Sequence, residues 1–195
     1  MQLTQAILPV AGLGTRFLPW TKVVPKELLP IGKLPIVAWL IDECISVGIQ
    51  EICFVISRGK ELIPAFFAQD QALERELRKR GKSEVLDELL RYDAVRFTTV
   101  YQDEQLGDGH AILQAKDFVK SDHVAVLFGD DLIVGKENGL QQLQRAASDL
   151  RRAGRECALL CLQNVPTKDV SRYGIAEVDP TSPSGLRGAE RKNTH

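Results

Sequence analysis

Two apolar patterns alternate along the chain. Gln5–Val10, Glu51–Ser57 and His123–Phe128 are short and nearly unbroken in apolar character, as expected of strands, and Glu51–Ser57 is continuous enough to be buried on both faces. Between them, apolar residues recur at helical spacing. Ile36, Val37, Leu40, Ile41, Cys44, Ile45 and Val47 make one wide face, with Gly48 placed to end the helix. Lys60–Phe67 reads as a short helix. Gln71–Arg91 reads as two solvated helices broken at Gly81, with opposite charges four apart at Glu74/Arg78, Glu76/Arg80 and Asp87/Arg91. Val95–Gln102 is a further strand, Gly109–Val119 a helix, His123–Phe128 a central strand, Gly139–Ala153 a helix and Cys157–Gln163 a strand. Strands separated by helices predict an α/β fold with a doubly wound, mostly parallel sheet. Ligands of such sheets bind beyond the carboxyl ends of the strands. The loops at those ends are therefore where chemistry is expected.

Composition narrows the function. With 195 residues and 44% hydrophobic content, the chain can bury a substantial core. A net charge of −1, and the mixed signs of Gln71–Arg91, give no case for nucleic acid or an anionic membrane as partner. No segment approaches the roughly 20 apolar residues of a membrane span, and the N-terminus lacks a signal peptide's basic start. A cytoplasmic protein is expected. Cys44, Cys53, Cys157 and Cys161 form no Cys-x-x-Cys pair and read as buried free thiols.

Three strand ends carry the candidate chemistry. The first runs into Ala11-Gly12-Leu13-Gly14-Thr15-Arg16, and Pro25-Lys26-Glu27 follows. Glycines allow a sharp bend, consecutive N–H groups form an anion-binding concavity, and Arg16 and Lys26 supply charge for a polyphosphate. A dinucleotide loop would need a third glycine where Phe17 stands and an acidic residue about 20 positions on, near Leu34, where none lies. Walker spacing is absent as well. The second end holds Gln102, whose amide can read a nucleobase edge although the residues by themselves favour an ordinary loop glutamine, and Gly107 and Gly109. The third is Gly129-Asp130-Asp131. The carboxylates alone equally suit a turn or a magnesium ion; beside a phosphate loop they favour the metal. His110, His123 and His195 have no evident triad partner, and Ser46 and Ser57 lack a nucleophile's setting. This inventory favours a reaction of positioning and charge neutralisation, such as nucleotidyl transfer.

The run Val10–Arg16, then Pro25-Lys26-Glu27-Leu28-Leu29-Pro30, Glu43-Cys44, Gln102, Gly107–Ala111, Asp130-Asp131-Leu132 and Tyr173-Gly174, resembles the bacterial UTP–glucose-1-phosphate uridylyltransferases. The resemblance runs from Ala6 to about Val178. It implies a Rossmann-like nucleotidyltransferase fold that makes UDP-glucose and pyrophosphate from UTP and glucose 1-phosphate with Mg2+. It implies that Arg16 and Lys26 act on the phosphates, and that Ala11, Gly12, Gly14, Thr15, Gln102 and Gly107 hold the nucleotide. Gly174 would face the sugar and Asp130 the metal. The family continues beyond the position of His195, and Glu190 and Lys192 look like an altered form of its Glu-Lys-Pro segment. The resemblance thus predicts a nucleotidyltransferase domain over 1–183 that is incomplete at its C-terminus, a disordered or non-native tail over 184–195, and impaired catalysis. The full-length form is expected to be a homo-oligomer. Gly129 and Asp108 depart from the family's commonest loops and leave sugar and base open. The alternatives are a pyrophosphorylase for another nucleotide and sugar phosphate, or a non-catalytic nucleotide-binding regulatory paralogue.

Overall fold

The computed structural model describes residues 3–154, 158–172, 174–178 and 186–191. The chain divides into two compact units, 1–144 and 145–195.

In the first unit, β1 (Gln5–Pro9) leads through three single-turn 3-10 helices to a small antiparallel ribbon, β2 (Pro30–Ile31) with β3 (Leu34–Pro35). Then follow α1 (Ile36–Ser46), β4 (Glu51–Ile56), α2 (Leu62–Phe66), α3 (Gln71–Lys79), α4 (Ser83–Leu89), β5 (Arg96–Tyr101), α5 (Asp108–Gln114), β6 (Val124–Val126) and α6, which starts at Gly139 and continues to Arg152. The main sheet is parallel, in the order β5-β4-β1-β6. Gln5 stands beside both Glu51 and Val124, and Glu51 beside Arg96. The strands thus begin level, and all their carboxyl ends emerge at one edge. Going from β1 the chain builds outward through β4 and β5, then returns to β1's other side for β6. The switch point of the sheet, where such folds open a ligand crevice, is therefore the gap between β1 and β6.

Strand alternation explains why both faces are covered. Ala6, Leu8, Ile52, Phe54 and Ile56 pack with Val37, Leu40, Ile41 and Cys44 of α1. Ile7, Cys53 and Val55 point the other way, onto Ala111 and Ala115. Phe54, Phe67 and Phe97 stack on the first face with centroids 4.9–5.5 Å apart. The α/β doubly wound reading is therefore correct, as is the break at Gly81, which has φ +64°.

Four expectations need correction. His123–Phe128 contains only a three-residue strand, and it lies at an end of the described sheet. β1 and β4 take the interior, because only they are apolar on both faces over five or six residues. Residues 158–163 form no strand; Leu160, Cys161 and Leu162 are exposed. An apolar run becomes a strand only where another strand pairs with it, and none of the described strands does so. The exposure also overturns the buried reading of Cys161, whereas Cys44 and Cys53 are buried and free; Cys157 lies outside the described residues. Finally, Glu74–Arg78 and Glu76–Arg80 pair as expected, but Arg91 reaches Asp42 of α1 at 2.7 Å instead of Asp87.

In the second unit, a 3-10 segment (Thr167–Arg172) precedes an antiparallel pair, β7 (Gly174–Val178) with β8 (Leu186–Arg191), which carries an irregularity at Glu177/Val178. Of the segment 184–195, residues 186–191 form β8; the remainder lies outside the described residues, as does Tyr173. Among the described residues, no helix is long and apolar enough to cross a membrane.

Candidate active site

The glycine loop grows directly from the ladder. Val10 N–H still bonds Val55 O at 2.9 Å, Ala11 is buried, and Gly12 and Leu13 are exposed at the sheet edge. Gly14 has φ +65°, a left-handed turn that glycine adopts without strain. Its carbonyl accepts from Thr21 Oγ1 at 2.8 Å and from Phe17 N–H at 3.0 Å. Those bonds fix the exit of the loop. Thr15 and Arg16 then lie exposed on a single 3-10 turn.

The turn Lys26–Leu28 sends successive side chains in opposite directions. Lys26 turns out, and its Nζ meets Asp130 Oδ2 at 2.6 Å. Glu27 turns in, 1% exposed, and receives Lys60 Nζ at 3.0 and 3.1 Å. Lys60 also donates to Val10 O at 2.7 Å. Burial pushes the Glu27 carboxyl up and the Lys60 ammonium down, each opposed by the other's charge. Gly129 precedes Asp130; a Cβ there would stand 2.6 Å from Val10 Cγ1 and 2.9 Å from Glu27 Cγ. Burial and the adjacent Asp130 raise the Asp131 carboxyl, against Lys26.

The end of β5 supplies the third wall. Gln102 is 3% exposed, and its Nε2 donates to Gly107 O at 3.1 Å and lies 3.1 Å from His110 Nδ1. Gly107 takes φ +96° at the start of α5, and Gln114 Nε2 lies 3.0 Å from the other ring nitrogen of His110. Gln105 Nε2 reaches Ala11 O at 3.3 Å and ties this loop to the glycine loop.

Thus Ala11, Gly12, Gly14 and Thr15 share one loop. Lys26 and Asp130 meet directly, and the Gln102–Gly107 segment is tied to the glycine loop through Gln105. Arg16 extends from the glycine loop into solvent without an ion pair to any described residue. Gly174 begins β7 in the second unit. Among the described residues, no three metal-ligating side chains cluster. Sequence reasoning quoted Glu27 in a motif but gave it no task, and it missed Lys60. The available signal was a lysine just beyond an apolar strand, where a charge must be exposed or paired.

The family profile described as nucleotidyl transferase matches residues 5–188. The chain belongs to the nucleotidyl transferase family. It is 36% identical over 187 residues to the UTP–glucose-1-phosphate uridylyltransferase of Bacillus subtilis, matching 95% of this chain and 62% of that relative. The enzyme of the same name from Staphylococcus epidermidis shows the same identity and coverage. The chain thus spans about 62% of the length of these relatives. Among solved structures, the UDP-glucose pyrophosphorylase from Acinetobacter baumannii aligns with a TM-score of 0.82 at 33% identity, over 97% of this chain and 68% of that one. A UTP-bound form from that organism aligns at 0.80 and 31% identity, over 98% and 68%. The nucleotidyltransferase resemblance drawn from the loops therefore stands on both sequence and fold.

Proposed function

We propose that the chain carries the nucleotide-binding part of an enzyme that makes UDP-glucose and pyrophosphate from UTP and glucose 1-phosphate. The observation that carries this reading is the Lys26–Asp130 contact of 2.6 Å, made across the sheet's switch point beside the glycine loop. The names of the relatives, one solved with UTP bound, support the choice of nucleotide. We assign Ala11, Gly12, Gly14 and Thr15 to the phosphates through backbone N–H groups, and Gln102 and Gly107 to the base. Arg16 and Lys26 act as phosphate cations, and Gly174 faces the sugar. The family profile's span supports taking residues 1–183 as one nucleotidyltransferase domain.

The chemistry asks little of covalent catalysis. An oxygen of the sugar phosphate, already anionic, attacks the α-phosphorus of UTP and forms the new P–O bond. The bond to the bridging β-phosphate oxygen breaks, and pyrophosphate leaves with the electron pair. No proton must move. The obstacle is repulsion between two anions, which Arg16 and Lys26 reduce by fixed positive charge. Lys26 pairs with Asp130, and phosphate oxygens offer that ammonium a second set of acceptors.

Asp130 fits a divalent cation. Its side chain is 59% exposed and is followed by a second carboxylate. Hard oxygen donors of this kind, one or two per site and completed by substrate phosphates, suit Mg2+. Bound there, the ion would supply charge neutralisation at the transferring phosphoryl group. A cytoplasmic location and a homo-oligomeric full-length form belong to the same proposal.

A pyrophosphate-release assay with UTP, glucose 1-phosphate and Mg2+ tests the reading. UTP-dependent release supports it, and release only with another nucleotide or sugar phosphate reassigns the substrates. UTP binding without release supports the nucleotide half alone. Asp130→Asn is expected to raise the Mg2+ concentration needed for half-maximal response; an unchanged titration removes Asp130 from the metal's ligands.

A further inference from the structure

The Glu27–Lys60 pair has no task in the reaction just described, yet its placement is unusual. Lys60 is 8% exposed and Glu27 1%. Lys60 Nζ donates to Val10 O at 2.7 Å and to the two Glu27 oxygens at 3.1 and 3.0 Å, partners 50 and 33 positions away in sequence. One ammonium thereby joins three segments: the end of β1 just before the glycine loop, the turn that carries Lys26, and the loop that follows β4.

The same two partners form the floor under Gly129. The space a Cβ would take at Gly129 is filled by Val10 Cγ1 and Glu27 Cγ, 2.6 and 2.9 Å from its place. Lys26 is the chain neighbour of Glu27, and Asp130 is the chain neighbour of Gly129. The height of that floor therefore sets the gap between the Lys26 ammonium and the Asp130 carboxylate. Buried ion pairs are poor sources of stability, since a well-packed apolar pair of similar volume often does as well or better. Their use here calls for a different account, and the directional bonds to Val10 O and both Glu27 oxygens provide one. An apolar pair would fill the space without holding either segment at a defined distance.

We propose that Glu27 and Lys60 are positioning residues that fix Val10 and Gly129, and so set the Lys26–Asp130 spacing across which a nucleoside triphosphate's phosphates bind. The proposal rests on the nucleotide reading above. Its prediction is a split between stability and affinity, which a purely structural pair would not produce.

The experiment measures UTP binding with Mg2+ by titration calorimetry, and thermal unfolding in parallel, on the whole chain. Wild type is compared with the double variant Glu27→Met/Lys60→Met, which removes both charges at similar volume. The double variant is expected to unfold near the wild-type temperature but to bind UTP at least about tenfold more weakly, the scale of loss that a misplaced binding group brings. Should it fail to fold, Glu27→Gln keeps the side-chain length and one acceptor for Lys60; it is expected to unfold at a lower temperature, because the buried ammonium loses its counter-charge, and, where folded, to bind UTP more weakly than wild type. Lys60→Arg keeps the charge without the compact three-way geometry, and its affinity should fall between the two. A folded variant with unchanged UTP affinity overturns the positioning role and leaves the nucleotide reading standing. If the wild-type chain binds no UTP, both fall together.

Discussion

Arg16 and Lys26 carry the same charge on neighbouring loops but stand in different states. Lys26 is held by Asp130 at 2.6 Å, whereas Arg16 is exposed and bonded to nothing on the floor of the site. Removing Arg16 therefore takes away a charge without disturbing packing. Arg16→Ala is expected to leave the unfolding temperature unchanged and to lower pyrophosphate release by about 100-fold or more, the usual loss for one preorganised group that stabilises transition-state charge. Wild-type-like turnover would remove Arg16 from the site. Gly129 is the opposite case, a residue with no charge whose identity is set by packing. Any Cβ there must displace Val10 or Glu27. Gly129→Ala should destabilise the fold by about 1–3 kcal/mol, as overpacking usually does, measured by chemical denaturation. It should also weaken UTP binding, because Asp130 moves with it.

The strands are held level at their amino ends by a polar knot at the start of β1 and β4. Glu51 accepts from Arg96 at the head of β5 and, at 2.7 Å, from Gln5 Nε2 in β1. Gln5 Oε1 in turn accepts from the backbone of Lys120 and Ser121, so one buried amide also anchors the approach to β6. The Arg96 guanidinium, helped by Gln5, holds the Glu51 carboxyl below its ordinary value. The sign follows from linkage. Below the unfolded-state value of 4.5 the native chain binds fewer protons at this site than the unfolded chain. Its contribution is thus present above that pH and lost as pH falls through the lower native value. Glu51→Gln should accordingly flatten the decline of unfolding temperature on acidification below pH 4.5. A variant whose acid limb matches wild type would show that the pair contributes nothing there.

At the scale of the whole molecule, the described cysteines fall into two chemical classes. Cys44 and Cys53 lie on opposite faces of the main sheet, both fully buried, and Cys161 is exposed. Burial raises the Cys44 thiol strongly and pushes Cys53 up to about 11. Reactivity follows the exposed thiolate. In a Cys157→Ser background, a thiol reagent is expected to label one site rapidly in the native chain and two more only on unfolding. Rapid native labelling of all three would mean that the sheet opens far more readily than its packing implies.

How much of this was legible in the sequence depends on the range of the interaction. The periods of Ala6–Val10, Glu51–Ile56 and α1, the break at Gly81 and the loop from Ala11 to Arg16 are local. A strand buried on both faces must be apolar throughout, and a left-handed turn favours glycine, so one stretch of chain suffices to read them. The same local logic, joined to Lys26, Gln102 and Asp130, pointed to a nucleotide–phosphate site, and the order of those motifs carried the resemblance to the family. What the tertiary structure alone decided is pairing. The run 158–163 is apolar enough for a strand but pairs with none of those described. Arg91 chose Asp42 over its helical neighbour, and the small strand β6 took an end of the described sheet. The contact between Lys26 and Asp130 spans 104 positions, and the Lys60 clamp beneath it spans 33 and 50. Charges so far apart in sequence carry no mutual signal until the fold brings three strand ends to one edge. The residues of the candidate site are therefore written in the sequence, while the distances at which they can act are set by the sheet.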